Sequence, residues 1–147
     1  MALTNDKSLK KDTLKIYYDS ILLKDIVARY SLKNYQVLNE LSLFLLSNNS
    51  TINAYNRLKN NFKTSFDTIR DYMEYLFNSY MILSINKFDY SYKKQIANPK
   101  KIYAIDVGFS NQVSFNISKK IGQNIENIVF LSLRRETKDI YYYNYYL

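Results

Sequence analysis

The sequence contains no histidine and no cysteine, and its only two glycines are Gly108 and Gly122. Without His or Cys, the usual zinc sites, thiol nucleophiles, disulfide frameworks and His-based catalytic triads are excluded. Neither glycine stands in a Gly-x-x-x-x-Gly-Lys frame, so the chain has no P-loop, and it has no dinucleotide-binding fingerprint. We therefore expect no cofactor, no metal site and no nucleotide hydrolysis by this chain.

Long apolar runs are missing too. No window approaches about 18 uninterrupted apolar residues, and no signal peptide opens the chain. We expect a soluble, cytoplasmic protein that has no membrane partner. With 147 residues, of which 47% are hydrophobic, the chain is large enough for one domain or for a domain with a partial neighbour.

Positive charge is in excess, because 21 Lys and Arg residues stand against 13 Asp and Glu residues, a net charge of +8. The excess is spread along the chain. A basic balance suits a polyanionic partner, since neutralised phosphates release counterions. Richness in lysine, tyrosine and asparagine also follows from coding bias, so the charge alone does not establish a nucleic-acid partner.

The clearest pattern lies in residues 34–98, where three segments with helical periodicity are separated by short polar breaks. The first predicted helix is Tyr35–Ser47, with its apolar residues on one face. The second is predicted to begin after an N-cap at Thr51. The third is predicted to begin after an N-cap at Ser65 and to run to about Tyr80, the last residue of its buried stripe.

Two runs after the third predicted helix favour β structure, namely Met81–Asn86 and Lys87–Tyr92. The second run alternates strictly enough to be a half-buried strand. Three short helices followed by a β ribbon is the order of a winged helix-turn-helix, and a generic small bundle is the alternative. The predicted fold class is therefore mainly α with a small β ribbon.

A winged helix-turn-helix indicates double-stranded DNA as the partner. Thr68 and Arg70 on the third helix would face a groove, while basic residues of the second helix and the ribbon would contact the backbone. A protein-interaction or self-association module without nucleic-acid binding is the alternative. The candidate DNA-binding residues are Asn53, Arg57, Lys59, Asn60, Lys63, Ser65, Thr68, Arg70, Lys87, Lys93 and Lys94.

The flanking segments also carry patterns. A helix is predicted over Lys10–Tyr30, and a basic linker over Tyr92–Lys101, whose proline disfavours helix. A short strand at Ile102–Ile105 is followed by a helix over Asp106–Phe115 and a last helix over Lys120–Glu136. The face of that last helix is wide enough to be mostly buried, and it comprises Ile121, Ile125, Ile128, Val129, Leu131 and Leu133.

The C-terminal residues Asp139–Leu147 favour a strand by propensity and are rich in tyrosine. No partner strand follows them in the sequence. An unpaired aromatic edge of this kind pairs readily with another chain. The sequence therefore predicts a homodimer through the C-terminal edge strand as one form of self-association.

Several stretches together resemble a known family, and the resemblance runs in order from about Lys10 to Tyr143. The similar region lies C-terminal to the ATPase core in archaeal and bacterial AAA+ proteins that carry a winged helix followed by a restriction-endonuclease-like domain. The matching stretches are Tyr18–Tyr30, Tyr55–Leu58, Thr68–Leu76, Asn98–Gly108 and Ile121–Phe130.

The resemblance implies three parts: an N-terminal helix linking from a missing ATPase core (1–33), the winged helix-turn-helix (34–98) and a truncated restriction-endonuclease-like segment (99–147). Only Glu126 matches the nuclease carboxylates of such folds. The others would follow the last residue of this chain, and metal-dependent cleavage needs several carboxylates. The resemblance thus implies a remnant or fragment that is not an enzyme. Asp67 departs from the family, which commonly has a basic or neutral residue there.

Overall fold

The computed structural model describes residues 7–113 and 120–144. They form a mainly helical protein with one small sheet, so the predicted class of mainly α with a small β component is confirmed. The helices are α1 Lys7–Ser20 with its π-helical continuation Ile21–Ala28, α2 Gln36–Ser47, α3 Tyr55–Asn61, α4 Phe66–Asn78, α5 Tyr92–Ala97, α6 Val107–Val113 and α7 Ile121–Glu136, and the strands are β1 Thr51–Asn53, β2 Ile82–Lys87, β3 Lys100–Ala104 and β4 Tyr141–Tyr142.

The sheet has the strand order β1-β3-β2-β4. The central strand β3 is antiparallel to both of its neighbours, with Ile102 opposite Thr51 on one side and Ser84 on the other. Strand β4 adds to β2 in parallel, where Asn86 pairs with Tyr141. The sheet therefore joins segments from residue 51 to residue 142.

The main core lies between one face of the sheet and the helices, and both contribute buried residues to it. In α2 the fully buried Leu38, Leu41 and Leu45 recur at helical spacing, which explains why this segment is a helix with one inward face. The N-terminal helical segment contributes Tyr18 and Ile26 to the same core. Residues expected to act as a linker therefore pack into the body of the protein.

Helix α4 follows its sequence pattern closely. The hydroxyl of Ser65 accepts a hydrogen bond from the Thr68 amide at 3.0 Å, which caps the first turn as predicted. Ile69, Met73 and Leu76 form a stripe with no exposed surface. The predicted extension to Tyr80 is wrong, because α4 ends at Asn78 and Tyr80 is 70% exposed.

The second helix does not begin after Thr51 as predicted. Residues Thr51–Asn53 instead form β1, and α3 starts at Tyr55. Ser50 has a left-handed backbone, and its amide donates to the Ile102 carbonyl at 2.7 Å, which directs the chain into the sheet. The β-branched side chains of Thr51 and Ile52 suit that pairing.

The prediction of Lys87–Tyr92 as the second strand of the ribbon is also wrong. Strand β2 ends at Lys87, and the run that follows it does not form the second strand. The helix Tyr92–Ala97 forms in the predicted linker, because Pro99 lies beyond the C-cap residue and leaves the helix intact. The antiparallel partner of β2 is β3, which lies beyond the predicted boundary at residue 98.

Helix α7 packs on the opposite face of the sheet and forms a second, smaller core with it. Its buried members are Ile85, Tyr103, Phe130 and Tyr142. Phe130 stacks on Tyr103 with ring centroids 3.9 Å apart. The prediction that the C-terminal strand lacks a partner is wrong, since β4 pairs with β2 and Tyr142 is buried. Residues 145–147 lie outside the described residues.

None of the helices formed by residues 7–113 and 120–144 combines the length and the apolar character that crossing a bilayer requires. Part of the predicted helix Asp106–Phe115 is described, as α6 from Val107 to Val113. Asp106 caps its start, because its carboxylate accepts the Phe109 amide hydrogen at 2.6 Å. Phe115 lies outside the described residues.

Candidate nucleic-acid interface

The candidates of α3 and the turn after it lie on the surface. Arg57, Asn60 and Lys63 are exposed, and Lys59 is half-buried. The Arg57 guanidinium donates to the Ile52 carbonyl at 3.1 Å, which fixes the side chain without neutralising its charge. Helix α3 and the turn after it therefore offer two exposed cations, Arg57 and Lys63, and the half-buried Lys59 is a third.

Asn53 is not available to a nucleic acid. It was expected on the outer face of the second helix, but it lies in β1 and is 1% exposed. Its amide donates to the Thr51 carbonyl at 3.1 Å. The unexpected strand therefore turns this predicted contact into a buried structural residue.

Candidates at the start of α4 are engaged within the helix itself. The hydroxyls of Ser65 and Thr68 lie 2.8 Å apart and share a hydrogen bond. Arg70 forms ion pairs with Asp67 at 2.9 Å and Asp71 at 3.1 Å. The hydrogen bond that Arg70 donates to the Asp71 carboxylate and the negative charge of Asp67 raise the pKa of Arg70.

The outward side of α4 is acidic as a whole. Asp67, Asp71 and Glu74 stand there against the single cation Arg70. Phosphates would meet net negative charge, so this helix is poorly suited to lie against a DNA backbone. The predicted recognition helix therefore carries little of the positive charge of the chain.

Two stretches without any Asp or Glu carry much of that positive charge. Residues 41–66 contain Arg57, Lys59 and Lys63, and residues 90–105 contain four lysines. Lys93 and Lys94 of the second stretch are exposed on α5. The remaining candidate, Lys87, is half-buried at the end of β2. Eight of the eleven predicted contact residues lie in these two stretches, and the other three are Thr68, Arg70 and Lys87.

A cleft lies between these two stretches. Its volume is about 380 Å³, and α3, the start of α4, the end of α5 and the start of β3 enclose it. The ring centroids of two lining residues, Tyr55 and Phe66, are 6.0 Å apart. The lining residues are Ala54, Tyr55, Asn56, Phe66, Arg70, Ile96, Ala97, Asn98, Pro99 and Lys100.

Lys100 is the inner cation of the cleft. It is half-buried, and its ammonium donates to the side-chain oxygen of Asn86 at 2.7 Å. Burial lowers the pKa of Lys100, because desolvation disfavours the charged form. Sequence reasoning missed this site, since it depends on helix α5 and on the start of α3 at Tyr55, neither of which was predicted.

Glu126 has a structural position between α7 and the sheet. Its carboxylate lies 2.5 Å from the Lys101 ammonium and accepts a hydrogen bond from the Tyr103 hydroxyl at 3.0 Å. Burial and the neighbouring Glu126 raise the pKa of Tyr103. Within residues 7–113 and 120–144, no group of three or more carboxylates forms a metal-binding cluster. Glu126 thus links helix α7 to strand β3.

The apolar face predicted to be buried on α7 is mostly exposed. We call Ile121, Ile125, Ile128, Val129 and Leu133 the outer face of α7, and these residues are 49–63% exposed. Leu131, the remaining predicted member, is half-buried against the second core. The prediction of a mostly buried face is therefore wrong for five of its six residues.

Residues 1–120 match a family model described as "Domain of unknown function (DUF8612)". The chain is 35% identical to an uncharacterized protein of Methanocaldococcus jannaschii, over 97% of the chain and 33% of the relative. It is 27% identical to an uncharacterized protein of Haemophilus influenzae, over 88% of the chain and 34% of the relative. The chain thus spans about a third of the length of these curated relatives. No solved structure matches it.

Proposed function

We propose, for a chain that belongs to the DUF8612 family, that residues 36–104 are a winged helix-turn-helix module that binds duplex DNA through its phosphates. The order α2, β1, α3, α4, β2, β3 supports this proposal, as does the antiparallel arrangement β1-β3-β2. Three helices with a small antiparallel sheet are the parts of a winged helix. The segment between β2 and β3, which contains α5, would be the wing.

The mode of binding follows from where the charges lie, which is the observation that carries the proposal. Two acid-free stretches supply exposed cations at Arg57 and Lys63 on one side and at Lys93 and Lys94 on the other. The α4 surface between them in sequence is acidic. We therefore propose contacts by the α3–α4 turn and by α5, with little reading of base edges by α4.

A salt titration of DNA affinity tests this mode. Fluorescence anisotropy with a duplex of about 20 base pairs should give a linear fall of log affinity with log salt, with a slope of about −0.9 for each phosphate contacted. Reversing Lys63, Lys93 and Lys94 to glutamate should flatten the slope and weaken binding by more than about tenfold.

A matched variant with the opposite change in charge provides the control. Asp67→Asn with Asp71→Asn removes two carboxylates from α4 and should strengthen binding, because phosphate repulsion falls. If the wild-type protein leaves the duplex free at low salt, the proposal fails. If the lysine reversals leave affinity unchanged while Arg70→Gln abolishes it, α4 is the contact surface and the proposed mode is wrong.

Self-association is the second candidate function, and the outer face of α7 favours it. Five half-exposed aliphatic residues on one helix face form an apolar surface of the kind that marks interaction sites. We propose a second copy as the occupant, with the two-residue strand β4 at the adjoining sheet edge extending the contact. Packing of the further segments present in the longer relatives is the competing outcome.

Light scattering over a range of concentrations tests this second candidate. The wild-type chain should dimerise, and Ile125→Glu with Val129→Glu should keep it monomeric, because buried charges would oppose the contact. Asn78→Glu, exposed at the end of α4 on the opposite face of the sheet, should have little effect. A wild-type chain that stays monomeric at high concentration would argue against a second copy as the occupant.

We also propose that the module is not catalytic and works as part of an ATPase-type protein, as the resemblance implies. The structural position of Glu126 supports the first point, because its carboxylate is engaged by Lys101 and Tyr103. A test is incubation of supercoiled DNA with Mg²⁺ or Mn²⁺. Cleavage that Glu126→Gln abolishes would contradict the proposal.

A further inference from the structure

We propose that the cleft between α3, α4 and the α5–β3 segment binds a small planar aromatic carboxylate, with Lys100 as the partner of the carboxylate group. This inference is independent of DNA binding. It rests on the shape of the cleft, on its apolar lining and on the charge that the cleft leaves uncompensated.

The shape and lining suit a molecule of one or two rings. A volume of about 380 Å³ lies near the lower end of the range of about 300–1,000 Å³ typical of ligand sites. Tyr55 and Phe66 supply aromatic surface, and Ile96, Ala97 and Pro99 supply aliphatic surface. Aromatic rings pair favourably with a further ring at centroid separations of about 4.5–7 Å. A planar aromatic body fits such walls.

The charge of the cleft selects an anion. Lys100 and Arg70 line it, and no Asp or Glu is among the lining residues. Arg70 already has two carboxylate partners, Asp67 and Asp71. The hydrogen bond of the Lys100 ammonium goes instead to the neutral amide oxygen of Asn86.

A half-buried cation whose partner is neutral loses hydration without gaining a counter-charge. The lowered pKa of Lys100 reports the same desolvation. A carboxylate entering the cleft would supply the missing charge and form a charge-assisted hydrogen bond, which is stronger than a neutral one. The planar guanidinium of Arg70 would form part of the wall at the mouth, where it can lie against a ring.

The test uses two fragments of nearly the same shape, indole-3-carboxylate and the uncharged indole-3-carboxamide. Isothermal titration calorimetry on the full chain should give an affinity for the carboxylate at least about tenfold higher. Amide chemical-shift changes should centre on Ala54–Asn56 and Ile96–Lys100. Equal affinity for the two fragments, or changes located elsewhere, would overturn the proposal.

Variants of two lysines locate the charge. Lys100→Met keeps the aliphatic stem and should lower carboxylate affinity by about tenfold while leaving carboxamide affinity unchanged. Lys33→Met removes an exposed charge outside the lining and should leave both affinities unchanged. If Lys100→Met fails to fold, Lys100→Arg takes its place as the test. This variant keeps the charge and should retain carboxylate binding. A Lys100→Met protein that folds and binds the carboxylate as the wild type does would refute the assignment of Lys100.

Discussion

Helices α4 and α7 are both amphipathic and lie on opposite faces of one sheet, but α4 buries only apolar residues whereas α7 also buries an asparagine. The stripe Ile69, Met73 and Leu76 of α4 has no exposed surface. On α7 the aliphatic face points outward, and the inward side carries Asn127 together with Phe130. The comparison shows that an apolar stripe identifies a face that needs covering, without identifying what covers it.

Polar contacts explain why α7 is turned this way. Asn127 is fully buried, and its side chain accepts from the Ala104 amide at 2.8 Å and donates to the Ala104 carbonyl at 2.9 Å. Glu126 bonds to Lys101 and Tyr103 on the same strand. Specific hydrogen bonds to β3 therefore orient α7 with its aliphatic face outward.

The largest contrast should come from truncating one leucine in each helix. Leu76→Ala should lower the free energy of unfolding by about 2 to 5 kcal/mol, because it opens a cavity in a filled core. Leu133→Ala is the matched change on the outer face of α7 and should cost less than about 1 kcal/mol in dilute solution. Urea unfolding measures both, and equal losses would break the comparison.

The second largest loss of stability should come from removing Asn127, whose side chain bonds α7 to β3. Asn127→Ala should lower the free energy of unfolding by about 1 to 3 kcal/mol, because it leaves the amide and carbonyl of Ala104 without these bonds in a buried place. Ser132→Ala, exposed on the same helix, should change it by less than about 0.5 kcal/mol. A neutral Asn127→Ala would show that apolar contacts alone hold α7.

Alkaline pH should weaken the contact between α7 and β3, because the Tyr103 hydroxyl donates a hydrogen bond to Glu126 there. Its pKa is raised above the usual value of 10.0 by burial and by Glu126, so the folded protein keeps the phenol protonated where the unfolded chain ionises it. This contribution to stability is present below about pH 10 and is lost as pH rises further.

A Tyr103→Phe variant isolates that effect. It should cost about 1 kcal/mol at neutral pH through the lost hydrogen bond. It should also reduce the fall in stability above about pH 10. The melting temperature followed from pH 8 to pH 11 tests both statements. An unchanged alkaline slope would mean that Tyr103 does not control it.

The smallest effect should come from the ion pair at the edge of α7. Glu126→Gln removes the charge opposite Lys101 but keeps an acceptor for Tyr103. The side chains of Lys101 and Glu126 are 21% and 43% exposed, so solvent screens the pair. We expect a loss of no more than about 1 kcal/mol, and high salt should reduce it. A larger loss would give the ion pair a greater part in orienting α7.

Helices of at least three turns could be predicted from the sequence. α2 and α4 have long enough repeats, and Ser65 supplies a cap with the expected geometry. The three-residue strand β1 could not be predicted, because its pairing with β3 depends on residues about 50 positions away. The short helix α5 was missed because Pro99 was given weight against a helix that ends before it.

The candidate site was predictable only in part. Exposed lysines such as Lys63, Lys93 and Lys94 were identified from residue type alone, and the structure places them at the surface. Asn53 was predicted to lie on the second helix, but it lies in β1. The cleft around Lys100 could not be predicted, because it forms where the start of α3 meets the end of α5, segments some 40 residues apart in the sequence.

The most direct test of the central claim is an amide chemical-shift titration of the chain with duplex DNA at low salt. We predict that the largest changes fall on the turn after α3 and on α5, around Lys63, Lys93 and Lys94. The outward side of α4 should change little. Changes concentrated on Asp67–Glu74, or no changes at all, would contradict the claim that phosphates are held by the acid-free stretches.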